Sequence, residues 1–326
     1  MAAVLARGTG IDSERLRSAI TGSRPARRCA DTHMWSDAAM DRTASVPAVH
    51  GDAPAPTAPP ELEEIAVAVA GETAELALAV RERVVGRDRL DTKSSATDVV
   101  TEGDTACEAL VRERLAALRP DDLVLGEEGG TRGAPGPGQV RWVVDPIDGT
   151  VNYTHGLPWF SVSLAAEVDG RIVAGAVVEP VSGRVWRAAR GHGARRDDVS
   201  LRTSTLDDLA LAVIGTGLGY DAGRRARQAA VLARIAGRIG DVRRTGCASL
   251  DLCAVAAGWL DGFYEHGLHA WDHAAGGLIA EEAGAVVRLP GKDPDGLGTE
   301  ATLVAAPALA GPLTALLVAE GAGEIA

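Results

Sequence analysis

The sequence predicts a mixed α/β protein of layered helices and sheets, and three stretches carry that reading. Helical periodicity opens the region after residue 60. A run of alternating strands with tight turns fills the middle, and from about residue 205 helices and strands alternate to the end. Composition agrees: of 326 residues, 46% are hydrophobic and 24% charged, as in ordinary globular proteins. Aromatics are only 3%, so the core has to be built mainly from Ala, Val and Leu.

Residues 1–60 are expected to form a disordered arm. They hold six of the sixteen prolines and little apolar periodicity, so burial cannot offset the entropy of ordering. Then Leu62, Ile65, Ala66, Val69, Leu76, Ala77 and Val80 recur at spacings of three and four, with Thr73 in the one gap. Glu61, Glu63 and Glu64 suit the first turn, where the helix dipole favours acids, and a helix is predicted over about 61–85. Ala106, Leu110, Val111 and Leu115 predict a second over 103–118, stopped by Pro120.

Strands follow at 140–144 and 160–168, the latter with Phe160, Val162, Leu164, Ala166 and Val168 on one face. Asp169-Gly170 signals a hairpin into a return strand over 171–178, and Ser182-Gly183 a turn into 184–189. Beyond lie a strand at 211–215, helices at 222–239 and 249–257, a strand at 262–265 and a helix at 272–283. Strands at 286–289 and 302–305 and a helix at 310–320, with Pro312 in its first turn, close the chain. The organised region, about 61–320, divides near residue 205 into halves 61–204 and 205–320.

The formal charge is −12, unevenly spread. The first 60 residues carry seven basic and six acidic side chains and net +1, which leaves −13 for the remainder. An acidic body repels nucleic acid and anionic membranes, and acids converging on one pocket attract divalent cations. The four cysteines form no CxxC pair, as expected of free thiols in a reducing cytoplasm. The most apolar stretch, 301–319, is broken by Pro307, Gly311 and Pro312 and is not expected to cross a membrane.

The segment Trp142-Val143-Val144-Asp145-Pro146-Ile147-Asp148-Gly149-Thr150 carries the most chemistry. An apolar strand delivers Asp145 and Asp148 to its end, Pro146 stiffens the backbone between them, and Gly149 permits close approach. Two carboxylates at a sharp turn, with a backbone carbonyl between them, suit an oxygen-liganded cation such as Mg²⁺ or Mn²⁺. The Gly149 and Thr150 amides could then meet a phosphate. Three more acidic stretches join it: Gly126-Glu127-Glu128, Trp271-Asp272-His273-Ala274-Ala275-Gly276, and the loop from Lys93 to Asp104. Taken singly, each also reads as a solvated loop or a helix cap.

Together these motifs resemble the inositol monophosphatase family of magnesium-dependent, lithium-sensitive phosphatases. Asp145–Asn152 matches its DPxDGTxN signature and Trp271–Gly276 its WDxAAG signature, with every motif in the family's order over about 61–315. The resemblance implies a layered αβαβα sugar-phosphatase fold, a homodimer and two or three Mg²⁺ per site. Glu127, Asp145 and the Ile147 carbonyl would hold the first ion, and Asp145, Asp148 and Asp272 the second. A third, weaker ion would share Glu127 through water. Thr150, paired with Asp104, would orient the attacking water together with Glu127, with no phosphoenzyme. Asp148, Gly149, Thr150, Cys247, Ala248 and Glu265 would line the substrate, Glu265 taking a polyol hydroxyl. Lys93 and Asp98 would shape a loop over the site.

Cys247 stands where relatives commonly carry Ser, and a packed small residue is an equal reading there. Glu265, His266, His269, Asp272 and His273 raise a zinc alternative that would leave the other acids unused. The expected activity is hydrolysis of myo-inositol 1-phosphate or a related polyol phosphate, without nucleic-acid or membrane partners. The alternatives are histidinol-phosphate hydrolysis and, in a different class, a non-catalytic binding protein of the transcription or translation machinery.

Overall fold

Helix α1, Pro59–Val84, forms where the 3–4 stripe predicts it, and Leu62, Ala66, Val69, Ala77 and Val80 on that stripe are buried. Thr73 in the gap is buried too, and its hydroxyl donates to the Val69 carbonyl at 2.8 Å, so the polar position satisfies itself within the helix. The computed structural model describes residues 57–84, 91–92, 99–100, 102–131 and 133–325. The expected arm up to residue 56, together with Lys93 and Asp98, lies outside the described residues.

Strands β1 (Asp91–Thr92) and β2 (Val99–Val100) pair antiparallel and lead to α2, Glu102–Leu118. On α2, Cys107, Val111 and Leu115 are buried beside two acids, Asp104 and Glu108, one turn apart. Next come β3 (Leu123–Gly126), β4 (Val140–Asp148), the one-turn helix α3 (Thr150–Thr154), β5 (Ser161–Val168) and β6 (Arg171–Val178). Strands β7 (Val185–Ala189), β8 (Ala194–Arg196) and β9 (Val199–Ser200) complete a seven-stranded sheet in sequence order. Strand β3 runs parallel to β4, and every later pairing is antiparallel. Asp169 and Gly170 both have positive φ, 49° and 75°, the geometry that matches a two-residue hairpin to strand twist.

The second half contributes β10 (Val213–Thr216), α4 (Ala222–Ile235), β11 (Asp241–Arg243), α5 (Ala248–Ala256), β12 (Gly262–His266) and α6 (Ala270–Glu282). It ends with β13 (Val286–Arg288), β14 (Ala301–Ala305) and α7 (Pro307–Ala319). The five strands order as β11-β10-β12-β14-β13, with β10 parallel to both its neighbours and the rest antiparallel.

The layers run α, β, α, β, α, as the resemblance implies. Helices α1 and α2 pack together, with α1 across β5, β6 and β7. Helix α6 lies against β5, β6 and β7 and also against α5, which touches β12 and β14. Helices α4 and α7 contact each other, with α7 on β14. Small residues permit this sandwich. A Cβ at Gly175 on β6 would come within 3.1 Å of the Ala275 Cα, and one at Gly276 within 2.9 Å of the Leu252 Cβ. Covered by helices on both sides, β5 is buried at Ser161, Ser163 and Ala165 as well as on its apolar face, so the expected one-sided burial does not hold.

Other boundaries differ for local reasons. Residues 209–211 form a 3₁₀ turn capped by Asp208 instead of opening the strand. Helix α4 ends at Ile235 in another 3₁₀ turn over Ala236–Arg238. Helix α7 starts earlier than expected and encloses Pro312; Gly311 before it lacks the Cβ that would crowd the ring. Among the described residues no helix is long and apolar enough to cross a membrane. Five of the few rings sit in the core, where Trp142, Trp186, Tyr153, Phe160 and Phe263 are fully buried, while Tyr220 and Trp259 are exposed.

Candidate active site

Strand β4 carries Asp145 and Asp148 through a break in its pairing. The register with β5 shifts between them, where Pro146 has no N–H to donate. Asp145 Oδ1 accepts the Ile147 amide at 3.0 Å, which closes the turn locally. Gly149 follows with φ 90°, and a Cβ there would lie 3.1 Å from the Gly246 carbonyl oxygen and 3.3 Å from the Cys247 Cβ. Both the backbone sign and the space therefore call for glycine. Asn152 ties α3 to the next segment, its Nδ2 lying 2.7 Å from the Trp159 and 2.9 Å from the Thr245 carbonyl oxygens.

Three further elements bring acids to this turn. Asp104 comes from the first turn of α2 and is fully buried, with the Thr150 hydroxyl 3.4 Å from its Oδ1. The same hydroxyl lies 3.1 Å from the Ile147 carbonyl oxygen, which keeps a second lone pair available. Glu127 follows β3 directly. Asp272 is the third residue of α6, where its Oδ2 accepts the His269 amide at 2.7 Å in a capping box; it is thus not the N-cap itself.

The surrounding acids raise the pKa of Asp145 and of Asp272. Asp145 lies well above the usual carboxylate range, first through burial and then through Glu127, Asp148, Asp272 and Asp104, all of one sign. Asp272 is pushed up to about 8 by burial and by Asp148, and shares a hydrogen bond with Asp145. Asp148 is raised by burial but held down by bonds from Ser249, Cys247 and the Ala248 amide at the start of α5. The Ser249 amide and hydroxyl and the Cys247 thiol, the last at 3.2 Å, all donate to Asp148 Oδ2. Cys247 is buried, and its thiol faces Asp148 and the Ser161 hydroxyl.

Glu265, on β12, is pushed up to about 8 by burial and by Asp272, with Arg244 opposing. It faces Gly217, where a Cβ would overlap its carboxyl group. His266 Nε2 contacts the Leu297 carbonyl oxygen at 2.8 Å, and burial lowers His273 to about 4. Among the described residues no three His, Cys, Asp or Glu side chains stand as a closed ligand set. The donor chemistry of the cluster is nevertheless entirely oxygen and strongly anionic, which fits hard divalent cations better than zinc.

Several contributors have no clear sequence signal. Ser161 and Ser249, isolated serines in apolar runs, join side chains at 2.7 Å beside Asp148. Asp251, raised to about 7 by burial, accepts the Thr245 hydroxyl at 2.6 Å. Glu108 and Arg112 have a readable i, i+4 spacing, but one that normally marks an exposed pair. Two cavities lie away from the acids. One of about 350 Å³ is lined by His192, Arg195, Arg202 and Glu282, and one of about 650 Å³ runs along α7 and β13, and neither includes a clustered acid.

A family model described as the inositol monophosphatase family matches residues 59–321. The chain is 48% identical over 278 residues to inositol-1-monophosphatase of Mycobacterium leprae, covering 79% of this chain and 94% of that protein. It is 42% identical over 203 residues to a Pasteurella multocida protein named Nus factor SuhB, covering 62% and 76%. The solved structure of Mycobacterium tuberculosis SuhB superposes with a TM-score of 0.70 at 42% identity, over 82% of this chain and 99% of that one.

Proposed function

The chain belongs to the inositol monophosphatase family, and on that premise we propose that it is a Mg²⁺-dependent phosphomonoesterase acting on myo-inositol 1-phosphate or a related polyol phosphate. One observation carries the proposal: Asp104 on α2, Glu127 after β3, Asp148 on β4 and Asp272 on α6 all lie close enough to Asp145 for their charges to raise its pKa. In this reading Glu127, Asp145, the Ile147 carbonyl, Asp148 and Asp272 hold two Mg²⁺, with Mn²⁺ as a substitute and a third ion sharing Glu127. When bound, the ions supply Lewis-acid charge to the phosphoryl oxygens, the leaving alkoxide and the attacking water.

The chain's own groups do the rest. Thr150, paired with Asp104, orients the water together with Glu127 for direct in-line attack. The backbone at Gly149 and Thr150 meets the phosphoryl oxygens, and Asp148 serves beside it. Glu265 takes a hydroxyl of the polyol, and the Cys247–Ala248 segment supports that wall from behind Asp148. Lys93 and Asp98 belong to the loop assigned to cover the site. The same reading carries Li⁺ inhibition, a homodimer and a cytoplasmic location.

Phosphate release tests it across inositol 1-phosphate, histidinol phosphate, fructose 1,6-bisphosphate and a 3′-phosphonucleotide, with and without Mg²⁺. Release from inositol 1-phosphate, abolished by Asp148→Asn, is the expected result; equal turnover by that variant would refute the assignment. Preference for histidinol phosphate would move the substrate while leaving the chemistry. The relative named Nus factor SuhB supports a second reading, a binding protein of the transcription machinery. Retained metal binding without turnover of any ester in the panel would favour it.

A further inference from the structure

We propose that Glu108 is the positioning residue for Glu127, holding the turn that presents it; this rests on the reading of Glu127 as a cation ligand. Glu108 sits in the middle of α2 with its side chain almost fully buried. Its Oε2 accepts the Glu128 amide and its Oε1 the Gly129 amide, each at 2.8 Å. Oε1 also accepts Arg112 Nε at 2.9 Å. Arg112 passes the grip onward, Nη2 donating to the Gly130 carbonyl at 2.8 Å and Nη1 reaching the Val124 carbonyl at 3.4 Å.

The turn is built around this carboxylate. Gly126 and Gly130 exchange two backbone hydrogen bonds, 3.2 and 3.0 Å, so residues 126–130 form a closed loop at the end of β3. Gly126 and Gly129 both lie against Glu108: a Cβ on Gly129 would come 2.7 Å from Oε1, and one on Gly126 would strike the carboxyl group. Glu127 is therefore pinned on both sides, by a glycine that the carboxylate fits against and by the bound amide of residue 128. With the backbone fixed, so is the direction of its Cα–Cβ bond.

A carboxylate is the group this arrangement needs. Two amides and a guanidinium require three acceptor positions, and a glutamine would turn its NH₂ toward one of those donors. The paired guanidinium also compensates the buried charge. Asp104 stands one turn before Glu108 on the same buried stripe. One rigid helix thus delivers one site acid itself and fixes a second through the loop.

The test uses the full chain and four proteins: wild type, Glu108→Gln, Glu127→Gln and the double variant. The readouts are Mn²⁺ affinity by electron paramagnetic resonance without substrate, hydrogen exchange of the 126–130 amides, and kcat and KM for phosphate release. Glu108→Gln is expected to weaken Mn²⁺ binding about 10-fold, the usual effect of removing a group that orients a metal ligand. Exchange at the Glu128 and Gly129 amides should rise, and kcat should fall with substrate KM unchanged. In the Glu127→Gln background the second substitution should cost nothing further, because it acts only through Glu127. Wild-type Mn²⁺ affinity in Glu108→Gln, or equal losses in both backgrounds, overturns the proposal. Should Glu108→Gln not fold, Arg112→Lys, at a partly exposed position, takes its place in the same cycle, with a smaller loss in the same direction expected and no loss overturning it. A wild-type chain that neither binds Mn²⁺ nor releases phosphate sinks the reading of the site and this proposal with it. Loss in Glu127→Gln alone sinks only the role of Glu108.

Discussion

Asp148 and Ser249 meet through a single oxygen: Oδ2 of Asp148 accepts both the amide and the hydroxyl of Ser249, each at 2.6 Å. The carboxylate thereby sits at the N-terminus of α5, whose own N-cap, Cys247, makes no side-chain cap. Helix dipole, amides and hydroxyl all favour the charged form and oppose the burial that raises its pKa.

Ser249→Ala removes one of those two bonds and leaves the Ser161 hydroxyl with only the Cys247 thiol, 3.4 Å away. A hydrogen bond to a charged group is worth about 1.5–3 kcal/mol, so thermal or urea unfolding should show a loss near the lower end of that range. Cation affinity should fall about 10-fold, measured by Mn²⁺ titration. Unchanged affinity would mean that the carboxylate is held well enough by the amides alone.

The cluster also sets the pH dependence of the cation-free protein. Asp272 and Glu265 are pushed up to about 8 and Asp251 to about 7, in each case mainly by burial. In the unfolded chain such groups titrate near 4. The folded state therefore binds more protons between those limits, and stability falls as pH rises through the window. In EDTA the melting temperature should decline from pH 5 to pH 9. Saturating Mg²⁺ should remove most of that decline, with its stabilising effect largest at alkaline pH. Asp251→Asn should flatten the EDTA curve in part. A flat EDTA curve in the wild type would show that these acids stay ionised in the folded state.

Away from the acids, Tyr153 links the site to the outer helix layer. Its hydroxyl donates to the Ala77 carbonyl at 3.0 Å, and its ring meets Phe160 edge-on with centroids 5.1 Å apart. Tyr153→Phe keeps the ring and drops the bond, leaving a buried carbonyl with one partner fewer. Stability should fall by about 1 kcal/mol with cation affinity unchanged. A change in affinity would show that α1 reaches the acids through α3.

How far the sequence discloses this arrangement depends on where each signal is stored. The α1 stripe and the Asp169-Gly170 turn are local patterns, and the helix and hairpin appear within a residue or two of expectation. Strands β1, β2, β8, β9 and β11 are two or three residues long, too short for any period to register. The order of the second sheet places β14 between β12 and β13, a choice made by distant partners. Strand β5 reads as one-sided because its second face is Ser and Ala, chosen for the close approach of α6 and not for apolarity. Glu127 and Asp145 are legible because each stands at the end of an apolar run, whereas Asp104, Asp148 and Asp272 are legible through the motifs that carry the family resemblance. Ser249 and Glu108 are not, since their meaning comes from the backbone that folding brings to them.

Gly217 and Glu265 offer the sharpest check on substrate choice. Thr216 on β10 stands in register with Tyr264 on the parallel strand β12, which puts Gly217 beside Glu265 just beyond the pair. A methyl at Gly217 would occupy the space of the Glu265 carboxyl group and push it aside. If Glu265 takes a polyol hydroxyl, Gly217→Ala and Glu265→Ala should raise KM for inositol 1-phosphate by about 10-fold, the equivalent of one lost polar contact. Hydrolysis of p-nitrophenyl phosphate, which has no such hydroxyl, should be little changed, because the acids at Asp145 and Asp148 are untouched. The double variant should be no worse than Glu265→Ala, since the methyl acts only on a side chain already removed. Equal losses on both esters would place Glu265 with the reacting phosphate and not with the alcohol.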